Sequence, residues 1–400
     1  MNSQSLRKQT WLILLCALFM GMSRGLPSAL PKEVGLSSSR LAQIDQVINE
    51  ALQGKTIPGA VVCVGRQGKI VFFRSYGWSQ LIPVKQEMQK DMLFDLASLT
   101  KPVATATAVM ILVERGKISL RDRVKKFIPW FRPYSSEKEA GEKEAQIWHL
   151  LTHTSGLPAY AEEEQIAKQF GRPCSLEQME GYIGRRPKLS PPGREFRYSC
   201  LGFISLAYIV EQVSGQKFEV FVQENIFQPL GMRDTMFNPP PELKVKCVPT
   251  EKVGNRILQG VVHDPLARLL GGVSGNAGLF SSALDLATFA QMLLNGGQAA
   301  GVRILSPLSV RRLTEVFPLA LEAGRGLGWD LNSPYNSPRG DLFGWQSFGH
   351  TGYTGTSLWI DPATKCFVIL LTNRVHPEDE GSVTGLRTKV ANIVASAIWE

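Results

Sequence analysis

A serine and a lysine three residues apart on a helix put a hydroxyl and an amine on one face, one turn apart. An unprotonated amine in that place can take the serine's proton and make the hydroxyl able to attack a carbonyl carbon. The spacing occurs four times in the chain, at Ser5/Lys8, Ser98/Lys101, Ser135/Lys138 and Ser214/Lys217. The first pair lies in a basic and apolar N-terminal segment, and the third in the charged stretch 132–144, read as a solvated loop. Ser214 is followed by Gly215, a residue that ends helices, so its geometry is poor. Ser98 alone opens a long apolar run, 102–114, which reads as a buried helix. A helix N-terminus at that point adds partial positive charge and unpaired N–H groups beside the serine. Burial against Val103, Ala104 and Val109 is expected to lower the pKa of Lys101 toward that of a useful base. The plain alternative is that Ser98 only caps the helix.

Other residues with chemical potential are less persuasive. His149 and His153 are four apart and would share a helical face, but no third ligand accompanies them, so no metal site is expected. The glycine-rich run 271–278 lacks the Gly-x-x-x-x-Gly-Lys pattern of a phosphate loop and reads as tight turns or a close approach to a cleft. No Gly-x-Ser-x-Gly elbow occurs, which argues against an α/β-hydrolase fold. Beyond residue 25 the cysteines are Cys63, Cys174, Cys200, Cys247 and Cys366, an odd set with neither a disulfide framework nor metal-like spacing. Trp78, Trp148, Trp329 and Trp359 read as packing residues, and Trp345 as a cleft candidate because of its nearness to His350 in sequence. No cofactor is implied.

These residues need a scaffold, and the two ends of the chain supply its sheet. Ser39 followed by Leu41, Ile44, Ile48 and Leu52 reads as a capped amphipathic helix. Residues 60–64 and 70–73 flank Gln67-Gly68 as a hairpin, and 356–360 and 366–371 flank Asp361-Pro362-Ala363-Thr364 as a second. Leu386, Val390, Ile393, Val394 and Ala397 form the inner stripe of a final helix. Between the ends, about 145–275 carries helical segments separated by Pro/Gly turns. The expectation is an α/β (α+β) protein with an antiparallel sheet flanked by helices. Its sheet part spans about 36–97 and 280–400, and a mostly helical insertion spans about 98–279.

Composition sets the wider bounds. With 400 residues, 44% hydrophobic and 20% charged, the chain is long enough for a large core and is not disordered in character. Its formal net charge of +9 falls to +6 without residues 1–25, which hold Arg7, Lys8 and Arg24 and no acidic residue. That mild basicity suits an anionic cell envelope, and no basic run with interleaved aromatics points to nucleic acid. Arg7 and Lys8 precede an apolar stretch at 11–22 and then the small residues Ser23 and Gly25, the pattern of an export signal. The apolar stretch is shorter than the roughly 20 residues of a membrane-spanning helix. Residues 1–25 are therefore expected to be a cleaved signal, with an uncleaved membrane anchor as the alternative. The mature protein would be periplasmic or secreted.

Four motifs in order carry a family resemblance. Phe94-Asp95-Leu96-Ala97-Ser98-Leu99-Thr100-Lys101 resembles the nucleophile motif of class C β-lactamases, D-alanyl-D-alanine carboxypeptidases and related esterases. His149-Leu150-Leu151-Thr152-His153-Thr154-Ser155-Gly156-Leu157-Pro158 is similar to a segment of the same superfamily. Tyr198-Ser199-Cys200 stands where the family has Tyr-x-Asn, and His350-Thr351-Gly352 where it has Lys/His-Thr-Gly. The resemblance they carry spans about residues 40 to 400. The segments His263-Asp264-Pro265, 271–280 and 371–377 further resemble a penicillin-binding-protein-like branch.

The resemblance implies a β-lactamase/transpeptidase-like fold and an acyl-enzyme formed on Ser98, with Lys101 as its base and Tyr198 as the second proton-transfer group. It implies an oxyanion hole made by the N–H groups of Ser98 and Tyr353. Cys200, His350, Thr351 and Gly352 would bind substrate, His350 lining the cleft and orienting Tyr198 or a substrate carboxylate. The substrate would be a small molecule or peptide: a D-alanyl peptide or other peptidoglycan fragment first, a small ester or a β-lactam as alternatives. A non-catalytic envelope protein that keeps the fold for binding is the alternative of a different class.

Two departures bear on chemistry. His350 in place of lysine makes anion binding depend on pH. Cys200 in place of asparagine offers a thiol, a poor donor and acceptor, where the family has a carboxamide. That loss weakens amide and β-lactam recognition more than ester hydrolysis. Replacing the thiol, Cys200→Asn, is expected to raise turnover of amide or β-lactam substrates. Steady-state kinetics on a folded variant check this, and unchanged or lower rates refute it.

Overall fold

The computed structural model describes residues 25–399 except 138, 334 and 336. Apart from Gly25, the segment read as an export signal lies outside the described residues, as do the Ser5/Lys8 pair and Lys138 of the third pair.

The first expected hairpin forms from β1 (Gly59–Arg66) and β2 (Lys69–Gln80). Its turn needs two left-handed residues, and Gln67 and Gly68 adopt φ of 51° and 81°. A short β3 (Gln86–Glu87) extends this edge. From the other end come β4 (Phe348–Thr351), β5 (Ser357–Asp361) and β6 (Cys366–Thr372). The turn between β5 and β6 is held by Asp361, whose carboxylate accepts from Thr364 N at 2.9 Å and from the Thr364 hydroxyl. The order across the sheet is β4-β5-β6-β1-β2-β3, antiparallel throughout, so the two chain ends meet where β6 pairs with β1.

Side chains alternate between two cores along these strands, as the period of an extended chain requires. Ala60, Val62 and Val64 of β1, with Cys366, Val368 and Leu370 of β6, face Ile44 and Ile48 of α1 (Gln43–Gln53). Val61, Cys63, Phe367, Ile369 and Leu371 point the other way, into the larger core shared with the helical region. Both layers were expected, but the first helix is capped elsewhere. Ser37, not Ser39, accepts from Arg40 N at 3.3 Å, and its short turn Ser38–Leu41 ends before α1 starts. The charged stretch 132–144 is likewise no loop: Tyr134–Ser136 pairs with Glu139–Lys143, because ladder hydrogen bonds do not require apolar side chains.

In the helical region, Ala97–Leu99 is a 3₁₀ turn, Lys101–Ala106 is wound as a π-helix and Thr107–Glu114 is α-helical; together they form α2. Pro102, with no N–H to give, sits at the start of the π segment, and Thr107 Oγ1 donates to its carbonyl at 2.9 Å. This stretch, Ala97–Glu114, is as apolar and long as a membrane span, yet most of it is buried inside the fold. Beside it lie α3 (Cys200–Ser214), α4 (Ala283–Leu294) against the sheet, and, on the opposite face, α5 (Thr384–Ala397). Ser214 is the last residue of α3 and Gly215 follows in the left-handed region, the poor geometry expected for that pair.

Where β1 shifts register, between Val64 and Gly65, the ring of Phe367 lies directly on Gly65; a Cβ there would come within 2.1 Å of the ring. Gly65→Ala is therefore expected to destabilise the fold by about 1–3 kcal/mol through overpacking, read as a lower midpoint in chemical denaturation.

Candidate active site

Ser98 sits in a tightly wound turn clamped from several elements. Ala97 just before it has φ of 45°, a strained value for a residue with a Cβ and of the kind that gathers at functional sites. Asp95, fully buried, accepts from Ala97 N at 2.9 Å and from His263 N at 2.7 Å. Burial raises the Asp95 pKa, and those two N–H bonds work against the rise. Thr354 Oγ1 donates to Asp95 O at 2.7 Å, and Thr356 Oγ1 to Leu96 O at 3.1 Å. Gly352 lets this clamp close: a Cβ on it would be 2.3 Å from Leu96 O. Gly352 thus serves close backbone approach, a role its type predicts and its motif position alone does not.

Lys101, completely buried, points back at this turn. Its Nζ lies 3.0 Å from Ser98 Oγ, 2.9 Å from Asn276 O and 3.5 Å from Cys200 Sγ. With the proton on Lys101 all three contacts are donor bonds. Without it, Lys101 donates to Asn276 O and Cys200 Sγ while its lone pair faces the Ser98 hydroxyl. Burial pushes the Lys101 pKa down, as expected from sequence. The Cys200 thiol, the Tyr198 phenol and Asp264 outweigh that effect and hold it above the ordinary lysine value. The expected depression is therefore not found.

Tyr198 lies beside them, its ring 5.1 Å from Lys101 Nζ and its phenol oxygen in reach of Ser98 and Lys101. Burial raises its pKa, and the charges of Lys101 and Arg325 oppose the rise. His153 stacks on the ring at 4.3 Å, with its Nδ1 accepting from Ser199 N at 3.0 Å, and Tyr335 stacks at 4.8 Å on the solvent side. His149 is turned away, stacked on Trp148 at 3.6 Å. The two histidines are thus packing and orienting groups for the elements that carry Tyr198.

A cleft of about 700 Å³ opens over Ser98, with Tyr198, Cys200, Tyr160, Thr351, Gly352 and Tyr353 in its walls. The N–H groups of Ser98 and Tyr353 are taken by no other described residue, which leaves them available to an oxygen in the cleft. His350 is placed otherwise than expected. It is buried behind Tyr198, 6.0 Å from its ring, and is not part of the cleft wall. Burial, with Arg325 and Lys101 nearby, drives its pKa well below the ordinary histidine value, so it stays neutral and gives no pH-dependent anion site. Trp345 is no cleft residue either: it is 76% exposed, with Arg339 over its ring. Trp148, Trp329 and Trp359 are buried, as read from sequence.

Sequence reasoning missed Asn276, whose carbonyl holds Lys101, and Arg325 behind Tyr198. Asn276 lies within the glycine-rich run, whose residue types point to tight turns or a close approach to a cleft, a signal that places the segment but not the atom.

A serine–lysine–tyrosine cluster, its lysine fully buried, thus lies at the junction of an antiparallel sheet and a helical region. The chain belongs to the β-lactamase family, whose family model matches residues 44–392, and it is a serine hydrolase of that fold. A protein of Salmonella schwarzengrund (strain CVM19633), named "Putative D-alanyl-D-alanine carboxypeptidase", is 33% identical over 386 residues, covering 88% of this chain and 86% of its own. Among solved structures, EstCE1, described as a hydrolase with promiscuous acyltransferase activity, matches with a TM-score of 0.70 at 23% identity, over 90% of this chain and 99% of its own. A penicillin-binding protein homologue from Caulobacter crescentus matches with a TM-score of 0.68 at 18% identity, over 91% and 99%. Both structural likenesses show the fold.

Cys200 opens onto the cleft, so its reactivity is set by protonation. Burial pushes its thiol above the ordinary value, with Lys101 opposing. At pH 7.5 iodoacetamide is expected to leave Cys200 unmodified in the folded protein, with alkylation rising as pH climbs past 9. Peptide mass mapping checks this, and rapid labelling at neutral pH refutes it.

Proposed function

We propose that the protein is an exported hydrolase that acylates Ser98 with a D-alanyl peptide or related peptidoglycan fragment and then releases the acyl group to water. The observation that carries the reading is the Lys101 Nζ to Ser98 Oγ contact of 3.0 Å at the floor of a cleft large enough for a peptide end. The name of the Salmonella relative supports the substrate class, and the basic and apolar N-terminal segment supports export to the compartment where that substrate lies.

Ser98 Oγ bonds to the carbonyl carbon as its proton passes to the Lys101/Tyr198 pair, which must first be one proton short. The new oxyanion rests between the N–H groups of Ser98 and Tyr353. As the C–N bond breaks, the pair returns the proton to the leaving amine. Water then attacks the ester, giving one proton to the pair and restoring the Ser98 hydroxyl when that bond breaks. Thr351 stands in the cleft wall to receive a substrate carboxylate. Arg387, whose Nη2 donates to Gly352 O and Thr356 O at 2.8 Å, places positive charge beneath that wall.

A second reading, hydrolysis of small esters, is favoured by Cys200. An ester needs less help with its leaving group than an amide, and so tolerates a thiol in place of a carboxamide. Intact mass of the protein after incubation with a penicillin, with Ser98→Ala alongside, separates the two. A persistent adduct on the unaltered protein alone is the expected result. No adduct with the penicillin intact, but turnover of a chromogenic ester, overturns the peptidase reading for the esterase. Absence of both overturns acylation at Ser98.

A further inference from the structure

Arg325 belongs to the run Gly324-Arg325-Gly326-Leu327-Gly328-Trp329-Asp330, which folds on itself through an Arg325–Asp330 bridge and is tied to β4 through Asp330–Gly349. The residue is 1% exposed, and its guanidinium carbon lies 5.5 Å from the ring centre of Tyr198 and 5.6 Å from that of Phe196. A guanidinium cannot shed its charge to escape burial, and this one is under-paired. Nη2 is 3.4 Å from Asp330 Oδ2, while Nε and Nη1 have no hydrogen-bond partner among the described residues. Asp330 is itself shared, accepting from Ser333 N at 3.0 Å, Ser333 Oγ at 3.1 Å and Ser337 Oγ at 2.6 Å.

The neighbouring ring of His350 carries no charge to compete. Its Nδ1 lies 2.8 Å from Thr351 O, an acceptor, so Nδ1 bears the hydrogen and Nε2 is left with a lone pair and no partner among the described residues. The Lys/His-Thr-Gly position, charged where lysine fills it, is therefore electrically empty here. The groups that face Tyr198 are Ser98, Lys101, Cys200, His153, His350, Tyr335 and Arg325. Of these, Lys101 exchanges a proton during the reaction, and Arg325 holds a charge that never changes.

We propose that Arg325 is a positioning residue for proton transfer, supplying from behind Tyr198 the fixed positive charge that favours its phenolate in place of the charge His350 does not carry. This rests on the reading of Tyr198 as the proton-transfer partner of Ser98. The sign follows from Coulomb's law: a fixed cation makes loss of the phenolic proton easier, so removing it makes the proton-deficient form of the Lys101/Tyr198 pair rarer at any given pH.

The test is the pH dependence of kcat and kcat/KM for a chromogenic ester, measured between pH 6 and 11 on the purified protein. Arg325→Gln is expected to move the acidic limb upward by on the order of one pH unit, the effect of a charge ~6 Å away in a medium of intermediate polarity. Arg325→Lys is expected to recover most of that shift. Asp330→Asn frees the guanidinium of its counter-charge and is expected to move the limb the opposite way, which keeps the idea testable if Arg325→Gln does not fold. Rates lowered equally at every pH with an unmoved midpoint overturn the proposal, as does Arg325→Lys behaving like Arg325→Gln, or a limb in Asp330→Asn that stays or rises. Ester turnover that survives Ser98→Ala instead overturns the assignment of the site itself.

Discussion

The arrangement turns on one buried amine. Lys101 Nζ has three contacts within 3.5 Å, and each comes from a different part of the chain: Ser98 in the same helical stretch, Asn276 from the glycine-rich run, and Cys200 at the start of α3. An ammonium with three donors is satisfied by three acceptors, and a neutral amine needs one of them to become a donor. Only the Ser98 hydroxyl can reverse in that way without losing its place, since a carbonyl cannot donate and a thiol donates weakly. In the proposed mechanism, the direction of proton flow is thereby written into the identity of the groups around one nitrogen.

Keeping that nitrogen and the serine in register demands rigidity on the other side of Ser98. The left-handed Ala97, the buried carboxylate of Asp95 and the threonines 354 and 356 hold the turn from the sheet side. The same loop after β4 carries Gly352, which closes the gap to Leu96, and Tyr353, whose N–H stands open at the cleft. The turn that carries Ser98 and the loop that carries Tyr353 are one mechanical unit. Its parts come from residues about 250 apart that meet because the C-terminal strands pair with β1.

His153 and His350 are both driven well below the ordinary histidine value by burial and by neighbouring positive charge, so neither adds to it. The positive charge near Tyr198 is left to Lys101, whose amine can lose a proton, and Arg325, whose guanidinium cannot. Cys200 sits among these groups with a raised pKa, so in the resting site it is a neutral, weakly bonding side chain rather than a competing nucleophile. Its effect falls on how firmly Lys101 and a substrate amide are held.

Much of this was legible in the chain itself. Period-two alternation and turn residues gave both hairpins of the sheet, the apolar run after Ser98 gave its helix, and ordered motifs singled out Ser98, Lys101 and Tyr198 among many serines, lysines and tyrosines. Those signals are local, or are short patterns tied to one chemistry, and local backbone preferences are written in neighbouring residues. Tertiary packing decided the rest. It chose Ser37 over Ser39 as a cap, made a hairpin of a charged stretch, buried His350 behind Tyr198 and brought Asn276 and Arg325 to the site. It also set the direction of the Lys101 pKa, because burial and opposing neighbours push it opposite ways, and the sign of their sum depends on distances between residues remote in sequence.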